Sequence, residues 1–316
     1  MTELLPEAED TTRAAWLAWR RGGIGASEIA AVCGLSPWAS PLSVYLHKTG
    51  ALPDDLPPTE AMSLGVDLEH FVADQFTKRS GLHVVGAQTW CEHPELSWAR
   101  CTVDGFVAES PTSTRAHALG IFESKTTGSL HTYEPVPDHV ELQVQWQMFV
   151  CELEHAWLCV LGGGHRLGIV VVELHRDDAA IEAMVRAGAA MWERIELQQP
   201  PPIEAFYPGD AHDLADAFSE PDPDAVVELD DCAELVAELR QLKADAAAVD
   251  RQLKRTENAL KARLGNAEAG TLNGQPVVTW RGQDRHGIDI TRLRAEQPAI
   301  AEQYESVTSS RRFLVK

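Results

Sequence analysis

The stretch Cys-Thr-Val-Asp-Gly at 101–105 is followed, after a polar insertion, by Gly-Ile-Phe-Glu-Ser-Lys at 120–125. Both pieces predict short β-strands, and the glycine after Asp104 predicts a tight turn. Side chains alternate along a strand, so Glu123 and Lys125 point to one face. We therefore predict that two adjoining strands bring Asp104, Glu123 and Lys125 together.

These three side chains suit metal-assisted hydrolysis of a phosphodiester bond. Carboxylate oxygens such as those of Asp104 and Glu123 are the ligands that Mg²⁺ prefers. The ammonium of Lys125 can orient a water molecule or stabilise charge as a phosphate is attacked. An exposed ion pair on a surface strand explains the same spacing, because an Asp and a Glu-x-Lys recur by chance in chains of this length.

The composition is that of an ordinary soluble protein, with 44% hydrophobic and 24% charged residues among 316. No apolar run is long enough to span a bilayer, so we expect no membrane association. The six cysteines are scattered and contain no Cys-x-x-Cys. This pattern predicts reduced thiols in a cytoplasmic protein and argues against a zinc or iron–sulfur site.

The formal net charge of −21 argues at first against a nucleic-acid partner. The charge is unevenly placed, however. Residues 232–316 contain 14 basic and 11 acidic side chains, whereas 201–231 contain ten acidic and no basic ones. A DNA enzyme can be acidic overall if its groove is locally basic and its metal site uses some of the carboxylates.

Three parts follow from the patterning. Residues 1–200 predict a core of the α/β (α+β) class, with a mixed central sheet flanked by helices. Residues 201–231 predict an acidic linker, either an electrostatic screen or a solvated spacer. Residues 232–316 predict an appendage: a long helix with apolar residues at heptad spacing, then a hairpin turning at Asn273-Gly274. For that helix we favour a packing role over DNA contact.

A glycine-rich turn at 22–25 leads into a short helix, which we predict to be capped by Ser27 and closed at Gly34. Backbone N–H groups at the helix start, with Arg20 and Arg21 beside them, could seat a phosphate. Simple helix capping accounts for the same residues.

Two longer helices carry polar side chains that could belong to a site. Glu69 lies within a helix predicted over 59–80, where it could offer a further carboxylate or be solvated. Gln143 and Gln147 share one face of a helix predicted over 138–153. A glutamine there could hold the attacking water or a phosphate, or it could simply face solvent.

The ordered set of motifs resembles the YqaJ-type viral recombinase family, relatives of the phage lambda exonuclease in the PD-(D/E)XK nuclease superfamily. The resemblance covers about residues 15–200. The motifs that carry it are Arg21 to Ala30, Gly34 to Trp38, Pro41 to Gly50, Leu64 to Glu69, Thr102 to Gly105, Phe122 to Lys125 and Gln143 to Met148.

The resemblance implies a restriction-endonuclease-like core that digests double-stranded DNA ends from 5′ to 3′ with Mg²⁺, for which Mn²⁺ could substitute. It also implies a phage-type recombination role, a ring-shaped homo-trimer and a single-strand-annealing protein as partner. Ser124 departs from the family pattern, where an apolar residue is usual. The net charge departs as well, since an enzyme that encircles DNA should have a basic channel.

Residue roles follow from the same resemblance. Asp104 and Glu123 would ligate metal, with Glu69 as the helix carboxylate of the metal site. Lys125 would assist the water, and Gln143 would be the helix glutamine. The phosphate at the duplex end would bind Ser27, Arg21 and Arg20.

Two other functions compete with an exonuclease. A non-catalytic DNA-end-binding or scaffold protein could use the long helix to assemble with a partner, although it would not need the carboxylate–lysine set. A different nuclease of the same superfamily, such as an endonuclease, would share that set.

Overall fold

The computed structural model describes residues 13–53, 59–163, 167–202, 205–284, 286–306 and 311–315. The chain divides into two compact units, Met1–Phe218 and Ser219–Lys316. The first unit contains the predicted site and is built from seven described helices and seven described strands.

The strands of the first unit are β1 His83–Val85, β2 Thr89–Glu92, β3 Arg100–Val103, β4 Gly105–Ala108, β5 Gly120–Thr127, β6 His155–Gly162 and β7 Gly168–His175. Five of them form a sheet in the order β1-β4-β5-β6-β7, and β2 and β3 form a separate ribbon. The β5–β6 pair is parallel and the other pairs are antiparallel, so the sheet is mixed. Residues 164–166, between β6 and β7, lie outside the described residues.

The helices of the first unit are α1 Arg13–Arg21, α2 Ala26–Val32, α3 Pro41–Lys48, α4 Glu60–Ser80, α5 Asp138–Cys151, α6 Asp178–Glu196 and α7 Asp210–Ala217. Local signals set several of their ends. Ser40 accepts a hydrogen bond from the backbone N–H of Ser43 at the start of α3, and Gly81 ends α4 with φ +75°. The predicted class, a mixed sheet flanked by helices, is confirmed.

The sheet is covered on both faces. On one face Phe122 of β5 packs with Val72 and Phe76 of α4. On the other face Leu158 and Val160 of β6 pack with Val140 of α5. Because side chains alternate along β5, Glu123 points away from Phe122 and toward α5.

The strand predicted for the piece 101–105 is interrupted at Asp104. The preceding strand β3 pairs with β2, whereas the following strand β4 pairs with β1 and β5. Asp104 therefore stands where the chain passes from the ribbon to the central sheet. The predicted tight turn at Gly105 is wrong, because Gly105 is the first residue of β4 and pairs with Phe122.

The first part of the acidic 201–231 segment belongs to the first unit and packs against its other residues. The phenol O–H of Tyr207 donates to the Gly34 carbonyl at 2.8 Å, and the buried Asp210 side chain accepts from the Tyr207 backbone at 2.7 Å. Helix α7 follows directly and contacts α3.

The second unit contains α8 Ala233–Leu264, β8 Ala269–Leu272, β9 Gln275–Thr279, α9 Ile290–Glu296 and α10 Pro298–Gln303. Exposed ion pairs one helical turn apart, such as Asp250 with Lys254 at 2.7 Å, lie along α8. Asn273 and Gly274 join β8 to β9 with φ +50° and +80°, as the Asn-Gly signal predicts. Within the described ranges, no helix has the length and apolar character needed to cross a membrane.

Candidate active site

Glu123 lies at the centre of the candidate site, with a side chain that is only 2% exposed. Its Oε1 accepts hydrogen bonds from Lys125 Nζ at 2.5 Å and from Gln143 Nε2 at 2.6 Å. Its Oε2 accepts from Gln147 Nε2 at 2.7 Å. A buried carboxylate needs such donors, and here they come from β5 itself and from one face of α5.

Asp104 is held beside Glu123 by the pairing of β4 with β5. Gly105 lies opposite Phe122 in that pair, so the preceding Asp104 comes level with the next residues of β5. Its Oδ2 accepts the Ser124 backbone N–H at 2.8 Å. Asp104, Glu123 and Lys125 therefore meet as their spacing predicts.

Glu69 approaches the same place from α4. Its Oε2 accepts a hydrogen bond from Gln88 Nε2 at 2.6 Å. Gln88 has φ +53° in the turn between β1 and β2, an uncommon conformation for a residue with a side chain. Glu69 lines the same cleft as Asp104 and lies close enough to Glu123 for their charges to interact.

The charges of these groups act on one another. Burial, followed by the negative charges of Glu123 and Glu69, raises the pKa of Asp104 well above its usual range. Burial is also the main cause that raises the pKa of Glu69, with a further contribution from Glu123. Burial alone would lower the pKa of Lys125, but the charges of Glu123 and Asp104 outweigh it and raise that pKa.

This donor set fits a hard divalent cation. Three carboxylates repel one another here, and a cation between them would relieve that repulsion. In the described part of the chain, Asp104 Oδ1 and Glu69 Oε1 accept no hydrogen bond from the protein. Both residues line an open cleft, from which a cation could approach them.

The cleft has a volume of about 200 Å³ and joins the carboxylates to the predicted phosphate-binding residues. Its lining includes Arg20, Ser27, Glu69, Asp104 and Gln143. Arg21, at the exposed end of α1, does not line it. Five of the eight predicted site residues therefore line this cleft. Glu123 and Lys125 do not line it, but Glu123 accepts hydrogen bonds from both Gln143 and Lys125.

The start of α2 differs from the sequence prediction. The helix begins at Ala26 with Gly25 as its N-cap, so the predicted capping by Ser27 is wrong. Glu28 instead accepts the Gly25 N–H at 2.8 Å, because its longer side chain folds back over the helix start. Ser27 lies exposed in the first turn, and its hydroxyl is 3.4 Å from Arg20 Nη2.

Glu28 connects this helix start to two basic side chains. One carboxylate oxygen lies 3.0 Å from Arg20 Nη2, and the other lies 2.8 Å from Lys48 Nζ. Lys48 is nearly fully buried and also donates to the Arg20 carbonyl at 2.8 Å. Arg20 is thereby fixed at the edge of the cleft.

Three residues that shape the site are absent from the predicted site residues: Gln147, Gln88 and Lys48. Gln147 could have been included, because it follows Gln143 by one helical turn and shares its face. No local signal links Gln88 to Glu69 or Lys48 to Glu28, since both contacts depend on tertiary packing.

Comparison with known proteins finds similarity to one family and to several solved structures. Residues 15–154 match the family described as the YqaJ-like viral recombinase domain. Over these residues the chain is similar to that family, and the predicted family resemblance is confirmed. It is also 28% identical to the uncharacterized protein YqaJ of Bacillus subtilis (strain 168), over 99% of this chain and 97% of that protein.

The solved structures that are similar to this chain include exonucleases. An alkaline exonuclease from Laribacter hongkongensis (LHK-Exo) is 19% identical, covering 58% of this chain and 93% of that one, with a TM-score of 0.47. Its complex with dAMP has the same identity and coverage and a TM-score of 0.48. A putative exonuclease from Eubacterium rectale is 12% identical over 72% of this chain and 99% of that one, with a TM-score of 0.43.

Proposed function

We propose that this chain is a Mg²⁺-dependent deoxyribonuclease of the PD-(D/E)XK type that digests double-stranded DNA from its ends, 5′ to 3′, in phage-type recombination. The observation that carries the proposal is the contact of Lys125 with Glu123 beside Asp104, next to an open cleft. The YqaJ-like viral recombinase domain supports a nuclease acting in recombination.

Asp104, Glu69 and Glu123 would hold the metal, and Mn²⁺ could replace Mg²⁺ because both accept carboxylate and water ligands. When bound, the ion would stabilise negative charge on the phosphate and lower the pKa of a bound water. Lys125 keeps its charge near neutral pH, since its pKa is raised. Its ammonium would orient the attacking water, and Gln143 would steady the Glu123 carboxylate beside it.

The duplex end would be recognised at the edge of the cleft. Arg20, which is held by Glu28, and the exposed Ser27 hydroxyl would bind the terminal phosphate. Arg21, one residue further along, would contact the backbone of the DNA outside the cleft. These local donors would let a chain of net charge −21 bind DNA at one place.

The wider setting is part of the same proposal. The enzyme would act in the cytoplasm of a bacterial host as a ring-shaped homo-trimer and would pass its single-stranded product to a single-strand-annealing protein. Co-purification would test the single-strand-annealing protein as a partner. The mass of the assembly would test the homo-trimer.

The decisive experiment digests linear duplex DNA, labelled at either the 5′ or the 3′ end, with Mg²⁺ or with EDTA. We expect Mg²⁺-dependent release of the 5′ label from linear DNA and no cleavage of closed circular DNA. Lys125→Ala should abolish release, whereas Lys254→Ala, which removes an exposed ion pair on α8, should not. Cleavage by Lys125→Ala at the wild-type rate would remove the catalytic assignment, and cleavage of circular DNA would favour an endonuclease.

A further inference from the structure

Three cysteines that are distant in sequence meet in the interior of the first unit. Cys91 lies on β2 and is paired across the ribbon with Cys101 on β3. Cys151 is the last residue of α5 and packs against both. Their three sulfur atoms lie within 4.8 Å of one another, and all three side chains are buried. Because these cysteines are far apart in the sequence, their spacing does not indicate a cluster.

The sulfur separations are those of a metal–thiolate site. Three sulfurs bound to one Zn²⁺ at about 2.3 Å are about 4 Å from one another. The Sγ atoms of Cys101 and Cys151 are 3.8 Å apart. A disulfide requires a much shorter separation, about 2 Å. The cluster therefore has the spacing to accept an ion without movement of the backbone.

The surroundings favour negative charge on one of the three sulfurs, whereas burial and the two neighbouring thiols raise the pKa of Cys101 well above its usual range. Hydrogen bonds from Cys101 and Cys151 lower the pKa of Cys91 to about 4, and the positive charge of Arg115 contributes. Arg115 also acts to lower the pKa of Cys151, although that pKa is raised overall. Three thiolates around a divalent ion carry one net negative charge, and the Arg115 guanidinium can offset it.

We propose that Cys91, Cys101 and Cys151 bind one thiophilic d¹⁰ cation, of the class of Zn²⁺ and Cd²⁺. On binding, each thiol gives up its proton to solvent and its sulfur becomes a ligand, so the site releases up to three protons. The ligands are soft, so this ion is different in kind from the hard ion of the carboxylate cleft.

The ion would join two parts of the candidate active site. Cys101 is three residues before Asp104, and Cys151 ends the helix that carries Gln143 and Gln147. Binding would fix the ribbon against the end of α5 and so stabilise the folded chain. Cys101 also lines the cleft.

A second group could also take up metal and must be separated from the cysteines. His155, Glu173 and His175 place their ligand atoms within 4.8 Å of one another on the surface of β6 and β7. The two imidazole Nδ1 atoms are 3.1 Å apart. Total metal content therefore does not identify the cysteine site, but a charge-transfer absorption from thiolate to metal does, because only sulfur ligands produce it.

The test uses the full chain, reduced, stripped of metal by a chelator and desalted without oxygen. Titration with Cd²⁺ should produce thiolate-to-cadmium ultraviolet absorption that saturates at one equivalent, and the unfolding temperature should rise. Cys91→Ala and Cys151→Ala should each lose at least tenfold in affinity by this signal. Cys159→Ala, which removes an equally buried thiol outside the cluster, and His175→Ala should keep it.

Folded wild-type protein that gives no saturable thiolate absorption overturns the proposal. So does absorption that both cluster variants retain unchanged. Should an alanine variant fail to fold, the wild-type titration decides the question alone. The readout does not involve DNA cleavage, so it holds whether or not the chain is a nuclease.

Discussion

The side-chain amide of Gln147 donates to Glu123 Oε2 at 2.7 Å and to the Thr102 carbonyl at 3.2 Å. Gln147 is fully buried and Glu123 almost so. One amide thus connects the carboxylate on β5 to the strand that leads to Asp104. This contact orients Glu123 from the interior, while Lys125 and Gln143 hold its other oxygen.

Replacing Gln147 with leucine should destabilise the chain, because one oxygen of the buried Glu123 carboxylate would lose its donor. The expected loss is about 1–3 kcal/mol of unfolding free energy, the usual range for an unsatisfied buried polar group. Urea unfolding measures it. Gln241→Leu is the matched control, since Gln241 is exposed on α8 and its amide donates to Asp245 at 2.9 Å. Equal effects of the two substitutions would contradict the role given to Gln147.

Asp104→Asn should stabilise the metal-free protein at neutral pH. The folded-state pKa of Asp104 is raised by burial and by Glu123 and Glu69, so its ionised form is less stable in the folded state than in the unfolded state. Stability is therefore lost as the pH rises from the unfolded pKa through the folded pKa. Asparagine can still accept the Ser124 N–H. We expect a gain of roughly 0.5–2 kcal/mol, as is common when an active-site group is neutralised.

Unfolding in EDTA across the acid-to-neutral range measures this difference between Asp104→Asn and wild type. The gain should grow as the pH rises and vanish in acid, and Asp74→Asn, an exposed change on α4, should show no such trend. Adding Mg²⁺ should reverse the order, because a bound ion stabilises the wild type by mass action. A variant that is destabilised at every pH without metal would contradict the prediction.

Glu28→Gln should be strongly destabilising, because it removes the carboxylate charge that lies 2.8 Å from the buried ammonium of Lys48. Removal of one partner from a buried ion pair costs about 3–5 kcal/mol. Burial opposes ionisation of Glu28, but Lys48 and Arg20 outweigh it and lower the pKa. The stability that Glu28 contributes is therefore present at neutral pH and is lost as the pH falls through the folded pKa.

Denaturant unfolding at neutral and acid pH tests the role of Glu28. The gap between wild type and Glu28→Gln should narrow in acid. Glu182→Gln breaks an exposed pair with Arg186 at 2.6 Å and should cost at most about 1 kcal/mol. If both substitutions cost the same, the Lys48 contact does not contribute as its burial indicates.

The fold could be predicted where local signals set the structure. The strand pattern at 120–125 predicted β5, and Asn273-Gly274 predicted the hairpin of the second unit. The break at Asp104 could not be predicted, because the residues on both sides of it are strand-like and only tertiary pairing assigns them to different sheets. Helix α7 was missed because its anchor, the hydrogen bond from Tyr207 to Gly34, joins distant parts of the chain.

The site residues also divide into those that local spacing predicts and those that depend on tertiary packing. Short spacing sufficed to place Lys125 with Glu123, since alternate residues of a strand share a face. Glu69 and Gln143 were assigned from family resemblance, because helix position alone left their roles open. The cluster of Cys91, Cys101 and Cys151 forms because β2 pairs with β3 and α5 ends beside them, so no sequence spacing could indicate it.

Gly105→Ala should destabilise the chain and misplace Asp104, because β1 and β4 approach too closely to admit a side chain there. A methyl group on Gly105 would overlap Val84 Cγ1, which a real contact does not tolerate. Overpacking of this kind costs about 1–3 kcal/mol. Urea unfolding should show this loss, and Val84→Ala in the same chain should recover part of it. Gly128→Ala meets no atom within 4 Å and should be nearly neutral, so equal effects at both glycines would contradict the steric cause.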